Sequence, residues 1–285
     1  MITGVFGNKY QATHLDELRG FLSWLRHNRH TVLIERNFAD YLLDNGFELN
    51  SSEIVGDLPV EADMVASIGG DGTFLHASDW VGPRQTPIMG INTGHLGYLT
   101  GYSFADFSKI EMAFKGEYDV SSRMTIEVKS EFLPDGFSPV ALNEVSVSKG
   151  DTTSMVEIHA MIDGKYLADY LADGLVISTP TGSTAYNLSC GGPIVEPTID
   201  SFVLSPIAPH SLTLRPLVVG PESQLSFVIK SRGSQCIIGV DGRTFSIPAD
   251  GTLIKVSKAS YRVRVIQPSS TDFASVLRSK LGWGG

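Results

Sequence analysis

The chain has 285 residues, of which 42% are hydrophobic and 19% charged, and its formal net charge is −9. A chain of this length can form two domains with a large core, and its composition is typical of a soluble globular protein. The acidic balance disfavours a nucleic-acid partner, which clustered lysine and arginine would bind, but it does not exclude a small anionic ligand.

The first third of the chain alternates strand and helix patterns. In the stretch 14–30, Leu18, Phe21, Leu22 and Leu25 are three and four residues apart, which predicts one apolar helix face. Such alternation predicts a parallel sheet with right-handed crossovers, whose ligands bind at the carboxyl ends of the strands. The predicted strands are 2–6, 31–35, 64–68 and 87–91, and the predicted helices are 14–30, 40–45 and 73–80.

The pattern changes near residue 123. Short alternating strands are predicted at 125–129, 143–148, 155–162 and 225–231, with turn residues between them, which is typical of an antiparallel β domain. Residues 271–281 again predict a helix. We therefore expect a Rossmann-like α/β domain at 1–120, an all-β, mostly antiparallel domain at 121–268, and a C-terminal helix at 269–285 that packs back on the first domain.

Cysteine usage and hydropathy indicate in which cellular compartment the protein resides. Cys190 and Cys236 form neither a CxxC pair nor a spaced Cys/His set, so no zinc site is indicated. The first nine residues contain no signal-peptide core, and no apolar run approaches the roughly 18 residues that span a bilayer. We expect a cytoplasmic protein with no membrane partner.

A glycine-rich turn, Gly-Gly-Asp-Gly-Thr at 69–73, follows the predicted strand 64–68. Glycine lets a phosphate approach the backbone closely, and the N–H groups at a helix start favour an anion. Asp71 can accept a proton from an attacking hydroxyl, bind magnesium, or simply cap the helix. The string also resembles phosphofructokinases, diacylglycerol kinases and sphingosine kinases, so it indicates a kinase superfamily rather than one substrate.

Two further motifs have weaker signals. The turn at 92–98 follows the predicted strand 87–91, so we expect it at the same edge of the sheet as the 69–73 turn. There Tyr98 can lie against a ligand ring, whereas a structural role is the preferred interpretation for His95 and for His76. The Asn143-Glu144 pair opens a strand; the carboxylate can bridge two ribose hydroxyls and the amide can bind an adenine edge, or the pair is a solvated strand end.

The segment 173–189, Asp-Gly-Leu-Val-Ile-Ser-Thr-Pro-Thr-Gly-Ser-Thr-Ala-Tyr-Asn-Leu-Ser, is the most specific motif. Its hydroxyls and small residues let a ligand approach the backbone. Together the motifs resemble the NAD kinase family over most of the chain, at 69–73, 92–98, 143–144, 173–189, 206–210 and 277–283. The resemblance implies transfer of the γ-phosphoryl group of ATP to the 2′-hydroxyl of the adenosine ribose of NAD, which yields NADP.

The resemblance also implies site residues. Asp71 is similar to the family's proton acceptor, the Asn143-Glu144 pair matches a dinucleotide contact, and residues 184–189 match a binding turn that lies partly across a subunit interface. Ala208 matches a backbone contact near the adenine or ribose. The implied NAD-binding set is Asp71, Gly72, His76, Tyr98, Asn143, Glu144, Asp173, Thr181, Thr184, Ala185, Tyr186, Asn187, Leu188, Ser189 and Ala208, with Asp71 catalytic and no residue acting as a fixed metal ligand.

Further expectations concern partners. The family implies NAD and ATP as substrates, a divalent ion such as magnesium, and a homodimer or homotetramer. Ser154 and Leu171 stand where bacterial relatives often carry a basic or imidazole side chain; Arg243 is a candidate substitute, or an exposed turn arginine.

A lipid kinase would require an apolar or basic membrane-facing surface and a sugar kinase a basic cluster, and neither is visible. A non-catalytic dinucleotide sensor is the other alternative, against which the retained Asp71 argues.

Overall fold

The computed structural model describes residues 1–9, 11–94, 97–150, 155–269 and 271–284, with only the backbone for 232–234. His95 and Ser154, which the sequence analysis considered, lie outside the described residues. The chain divides into two compact units, unit 1 (Met1–Ser122 and Val263–Gly285) and unit 2 (Arg123–Arg262).

The elements follow one another along the described chain in a clear order. The helices are α1 (Leu15–His27), α2 (Arg36–Asp44), α3 (Asp71–Val81), α4 (Phe107–Phe114), α5 (Tyr186–Ser189) and α6 (Phe273–Leu281). The strands are β1 (Ile2–Gly7), β2 (Thr31–Glu35), β3 (Ile54–Val55), β4 (Met64–Ile68), β5 (Ile88–Asn92), β6 (Tyr102–Ser103), β7 (Asp119–Arg123), β8 (Ile126–Lys129), β9 (Val140–Ala141), β10 (Glu144–Lys149), β11 (Val156–Ile162), β12 (Lys165–Ala172), β13 (Gly174–Ser178), β14 (Phe202–Ile207), β15 (Leu217–Val219), β16 (Leu225–Val240), β17 (Arg243–Lys258) and β18 (Val263–Gln267).

Unit 1 is built on a mainly parallel sheet. Within the described residues its strand order is β3-β2-β1-β4-β5-β18-β7, and β6 pairs with β5. The predicted face of α1 is buried, because Leu18, Phe21 and Leu25 are fully enclosed in the core of this unit. The neighbours β4 and β5 are parallel, so their carboxyl ends lie at the same edge of the sheet, as the sequence predicted.

Unit 2 is an antiparallel β structure. The described part of its sheet has the order β15-β14-β13-β10-β16-β17-β8-β9, and β11 pairs with both β12 and β16. Inward residues alternate with outward ones, so that Val145 and Val147 of β10 are buried while Ser146 between them is half-buried. The longest strands, β16 and β17, form a hairpin that the sequence analysis detected only at residues 225–231.

The α/β plus antiparallel β fold class is confirmed, and several boundaries differ from expectation. The strand β18 pairs with β5 in unit 1, whereas the sequence analysis extended the second domain to residue 268. Helix α3 begins at Asp71 rather than Thr73, and α2 begins at Arg36, where the Glu35 carboxylate accepts from the Phe38 N–H at 3.0 Å. A capping carboxylate at a strand end is a three-dimensional feature, which periodicity does not reveal.

The C-terminal helix α6 belongs to unit 1, and every described residue in it is half-buried or exposed. Its first turn is capped by the Asp272 carboxylate, which accepts from the Ser275 N–H at 2.9 Å. Among the described residues, no helix is both long and apolar enough to cross a membrane.

Close packing at Gly90 gives a stability prediction. A Cβ at this β5 position would lie 2.6 Å from the Leu99 carbonyl oxygen, which is backbone and moves little. Gly90→Ala should therefore lower the free energy of unfolding by about 1–3 kcal/mol. Gly20, in the exposed face of α1 with nothing within 4 Å of an added Cβ, is the matched control. Gly20→Ala should raise stability by about 0.5–1 kcal/mol. Urea denaturation measures both, and equal effects would contradict the packing argument.

Candidate functional site

In unit 1 the 69–73 turn places Asp71 at a helix start. Gly69 has φ +147°, a conformation that favours glycine, and a Cβ there would lie 2.3 Å from the Thr73 hydroxyl oxygen. Gly70 is the N-cap, so Asp71 occupies the first turn of α3. A negative charge at this position interacts favourably with the partial positive charge of the helix N-terminus.

The Asp71 carboxylate points to the loop that follows β5. Its Oδ2 accepts from the Tyr98 N–H at 2.7 Å, and its Oδ1 accepts from the Leu99 N–H at 3.0 Å and from the Thr100 hydroxyl at 3.3 Å. Gly97 gives the carboxylate room, because a Cβ there would lie 1.9 Å from Oδ1. The structure therefore brings together the two turns that the sequence placed at one sheet edge.

Thr100 organises this loop, and the sequence analysis missed it. Its hydroxyl oxygen accepts from the Asn92 side-chain amide and from the Gly97 N–H, both at 3.0 Å, and the residue is fully buried. The Asn92 Oδ1 in turn accepts from the Gly94 N–H at 2.6 Å. A threonine downstream of a glycine-rich turn has no distinctive sequence signal, so only the folded loop reveals this role.

The remaining unit 1 candidates differ in exposure. The Tyr98 side chain is half-buried, and its hydroxyl lacks a hydrogen-bond partner within the described structure. Burial and then the negative charge of Asp71 raise the pKa of this hydroxyl, so it stays a neutral donor. Gly72 and His76 are exposed on α3, where both are open to solvent.

In unit 2 a buried carboxylate fixes the start of β10. Asp241 lies between β16 and β17, and its side chain accepts from the N–H groups of Leu142 (2.6 Å), Asn143 (2.9 Å) and Glu144 (3.1 Å). Burial raises the pKa of Asp241, and these three donors counteract the rise. No sequence pattern singled out Asp241, although it positions the backbone of both residues of the Asn-Glu pair.

Glu144 is a strongly perturbed acid. Burial, followed by the charge of Asp241, raises the pKa of Glu144 to about 8, although the Tyr186 N–H favours the charged form. Its Oε2 and the Asn143 Oδ1 are buried and have no partner in the part of the chain that the structure describes. Unpaired buried acceptors are costly, so these two atoms are suited to a ligand that donates hydrogen bonds.

The turn after β13 packs against Asn143. The Thr179 hydroxyl donates to the Leu142 carbonyl at 2.5 Å, and its oxygen accepts from the Gly182 N–H at 3.1 Å. A Cβ at Gly182 would lie 2.2 Å from the Asn143 carbonyl oxygen, so glycine is required there. The buried Thr181 hydroxyl near the same turn has no partner among the described residues.

Asn187 differs from the other predicted contacts, because its side chain serves the fold. Its Nδ2 donates to the carbonyls of Ser183 (2.9 Å) and Pro193 (3.1 Å), and its Oδ1 accepts from the Ser205 hydroxyl at 2.6 Å. The residue is fully buried. By contrast, Thr184, Ala185 and Leu188 are half-buried, and Tyr186 and Ser189 are exposed.

Four other positions complete the description of unit 2. Asp173 forms an ion pair with Lys149 at 2.7 Å, and the exposed Ala208 has φ +44° after β14. The Arg243 guanidinium donates to the Val140 carbonyl at 3.0 Å, so this arginine supports the β16–β17 turn. Leu171 is exposed on β12. Within the described ranges, no group of three or more His, Cys, Asp or Glu side chains is arranged to hold a metal ion.

Two family models and several known proteins match this chain. The model for the ATP-NAD kinase N-terminal domain matches residues 6–118, and the model for the ATP-NAD kinase C-terminal domain matches residues 142–268. An NAD kinase from Porphyromonas gingivalis is 38% identical over 98% of this chain and 97% of its own length. One from Cytophaga hutchinsonii is 34% identical over 100% and 98%.

Two solved structures are also similar. A yeast NADH kinase complexed with NADH matches with a TM-score of 0.86 and 24% identity, covering 100% of this chain and 88% of its own, which supports the fold alone. An NAD kinase from Archaeoglobus fulgidus in complex with ATP matches with a TM-score of 0.75 and 26% identity, covering 99% and 98%.

Proposed function

This chain belongs to the NAD kinase family, and from that premise we propose that it transfers the γ-phosphoryl group of ATP to the 2′-hydroxyl of the adenosine ribose of NAD. The product is NADP, and Asp71 is the proton acceptor. The observation that carries the proposal is the Asp71 carboxylate, held at the start of α3 by the N–H groups of Tyr98 and Leu99. The Archaeoglobus fulgidus relative that contains ATP supports ATP as the donor.

The proposed chemistry fits a positioned carboxylate. A bond forms between the ribose 2′-oxygen and the γ-phosphorus, the bond from that phosphorus to the β,γ-bridging oxygen breaks, and ADP leaves. The hydroxyl proton passes to a carboxylate oxygen of Asp71, which contributes about 10²- to 10⁴-fold in rate. Phosphoryl transfer otherwise depends on alignment and charge neutralisation, and Asp71 is aligned by its fixed hydrogen bonds.

Unit 2 supplies the proposed dinucleotide contacts. The Glu144 Oε2 accepts from ribose hydroxyls and the Asn143 Oδ1 accepts from the adenine amino group, since neither atom has a partner among the described residues. The Thr181 hydroxyl is a further buried group without a partner within the described residues, and it is free to donate. Tyr98, His76 and Gly72 are proposed contacts of unit 1. The other proposed contacts of unit 2 are Asp173, Thr184, Ala185, Tyr186, Leu188, Ser189, Ala208 and the backbone of Asn187.

The donor is proposed to bind as its magnesium complex. In this proposal the ion arrives on the phosphates of ATP as part of the substrate. We further propose that the protein acts in the cytoplasm as a homodimer or homotetramer, in keeping with the family resemblance.

One assay tests the proposed reaction. The purified protein is incubated with NAD, ATP and magnesium, and NADP is detected with an NADP-specific dehydrogenase. NADP is expected only when all three components are present. Phosphorylation of a lipid or sugar instead would identify a different kinase, and NAD binding without any transfer would identify a dinucleotide sensor.

Removal of the Asp71 charge should abolish turnover. Asp71→Asn is expected to lower kcat by at least about 10²-fold, because the amide accepts no proton from the ribose. Calorimetry should still show NAD binding, since the unit 2 contacts are unchanged. Asp16→Asn is the matched control, because Asp16 is an exposed acid in the first turn of α1. Near-wild-type turnover of Asp71→Asn would remove this residue from the role of proton acceptor.

The raised pKa of Glu144 predicts pH-dependent NAD binding. The free carboxyl is protonated below about pH 8, and ribose hydroxyls donate best to its ionised form. If the bound carboxylate stays ionised throughout, NAD binding should therefore tighten by up to about 25-fold between pH 6.5 and 8.5, as one proton is released. Glu144→Gln should bind about 1–3 kcal/mol more weakly at the higher pH and lose this slope.

The control for this measurement is Glu157→Gln, at an exposed glutamate on β11 of the same unit. It should keep both the affinity and the pH slope of the wild type. Calorimetric titration at the two pH values checks all three proteins. NAD affinity that decreases as the pH rises would show that Glu144 acts as a protonated donor and would contradict the proposed contact.

A further inference from the structure

A cavity of about 190 Å³ lies inside unit 1, beside the loop that holds Asp71. One part of its wall is formed by residues 97–101, and another part by residues that include Ser275, Ser279 and Lys280 of α6. The two parts of the wall thus place the C-terminal helix next to the residues whose N–H groups bind the Asp71 carboxylate. No step of the proposed reaction involves a residue of this helix.

Lys280 is the basic side chain of α6 that lines this cavity. It is half-buried there, and burial lowers its pKa, although the negative charge of Asp71 partly offsets this effect. The neighbouring hydroxyls are committed within the helix, because Ser275 donates to the Asp272 carbonyl at 2.8 Å and Ser279 to the Val276 carbonyl at 3.1 Å. The helix therefore brings positive charge to this cavity through Lys280.

Phosphoryl transfer is favoured by a positive charge close to the transferring group. The transferring group carries negative charge on its peripheral oxygens, and fixed cations that face them stabilise the transition state. We propose that Lys280 binds the terminal phosphate of the donor nucleotide, so that the C-terminal helix completes the Asp71 centre. This inference rests on the proposed function, since it assigns a residue to the ATP side of the same reaction.

A purely structural role is the competing explanation. Lys280 lies in the last turn of α6, where any cation interacts favourably with the helix C-terminus. Arg278 lies in the same turn and is exposed to solvent, so it provides a matched control. Loss of either charge should affect the helix similarly, whereas only loss of the Lys280 charge should affect the donor phosphate.

The experiment compares wild type with Lys280→Met, Lys280→Arg and Arg278→Gln. Steady-state rates are measured against NAD and against magnesium ATP, and calorimetry measures binding of each nucleotide alone. Lys280→Met should lower kcat/KM for ATP by about 10²-fold and weaken ATP binding, while NAD binding stays within about twofold. Lys280→Arg should recover a large part of the loss, and Arg278→Gln should match wild type.

The possible outcomes separate the inference from the function on which it rests. Unchanged ATP binding and kcat/KM in Lys280→Met, with wild type producing NADP, would overturn the inference and leave the proposed function standing. Equal losses in Lys280→Met and Arg278→Gln, with parallel falls in thermal stability, would assign Lys280 a structural role and also overturn it. Wild type that makes no NADP would defeat the proposed function, whereas weaker ATP binding by Lys280→Met would still support the phosphate site.

Discussion

The hydrogen bonds of the Asp71 carboxylate are the constraint on which the unit 1 site depends. They join the start of α3 to the loop after β5, so two neighbouring strand ends share one carboxylate. The arrangement requires glycine at two places. Gly69 makes the tight turn from β4, and Gly97 leaves the space that the carboxylate occupies. A carboxylate that rigid backbone donors already hold in place loses little further orientational freedom when a substrate binds.

Unit 2 uses a buried carboxylate in a different way. The Asp241 carboxylate accepts hydrogen bonds from three successive backbone N–H groups, and so it fixes the backbone of Asn143 and Glu144 in place. Burial, followed by the charge of Asp241, also raises the pKa of Glu144 to about 8. The Asp241 carboxylate therefore stabilises the structure, while Glu144 keeps an oxygen that has no partner among the described residues and suits a ligand.

The sequence predicted those parts of the fold that depend on local pattern. The α1 face and the strands β2 and β4 follow from apolar spacing, and the glycine-rich turns follow from composition. The positions of Thr100 and Asp241 were not predictable, because their roles arise from hydrogen bonds that join distant segments. The pairing of β18 with β5 was missed for the same reason, since the sequence of a short apolar strand does not indicate which strand it pairs with.

The most direct test of the Asp71 centre is the turnover of Gly97→Ala. The added methyl group would lie 1.9 Å from Asp71 Oδ1, so either the carboxylate or the loop must move. A shift of about 1 Å in a catalytic group costs roughly 10²-fold in rate, so Gly97→Ala should slow NADP formation by about this factor. Gly20→Ala, in the exposed face of α1 with no described atom within 4 Å of its Cβ, should retain wild-type turnover. Wild-type turnover by Gly97→Ala would contradict the account, because the reaction would then proceed without a carboxylate fixed in this position.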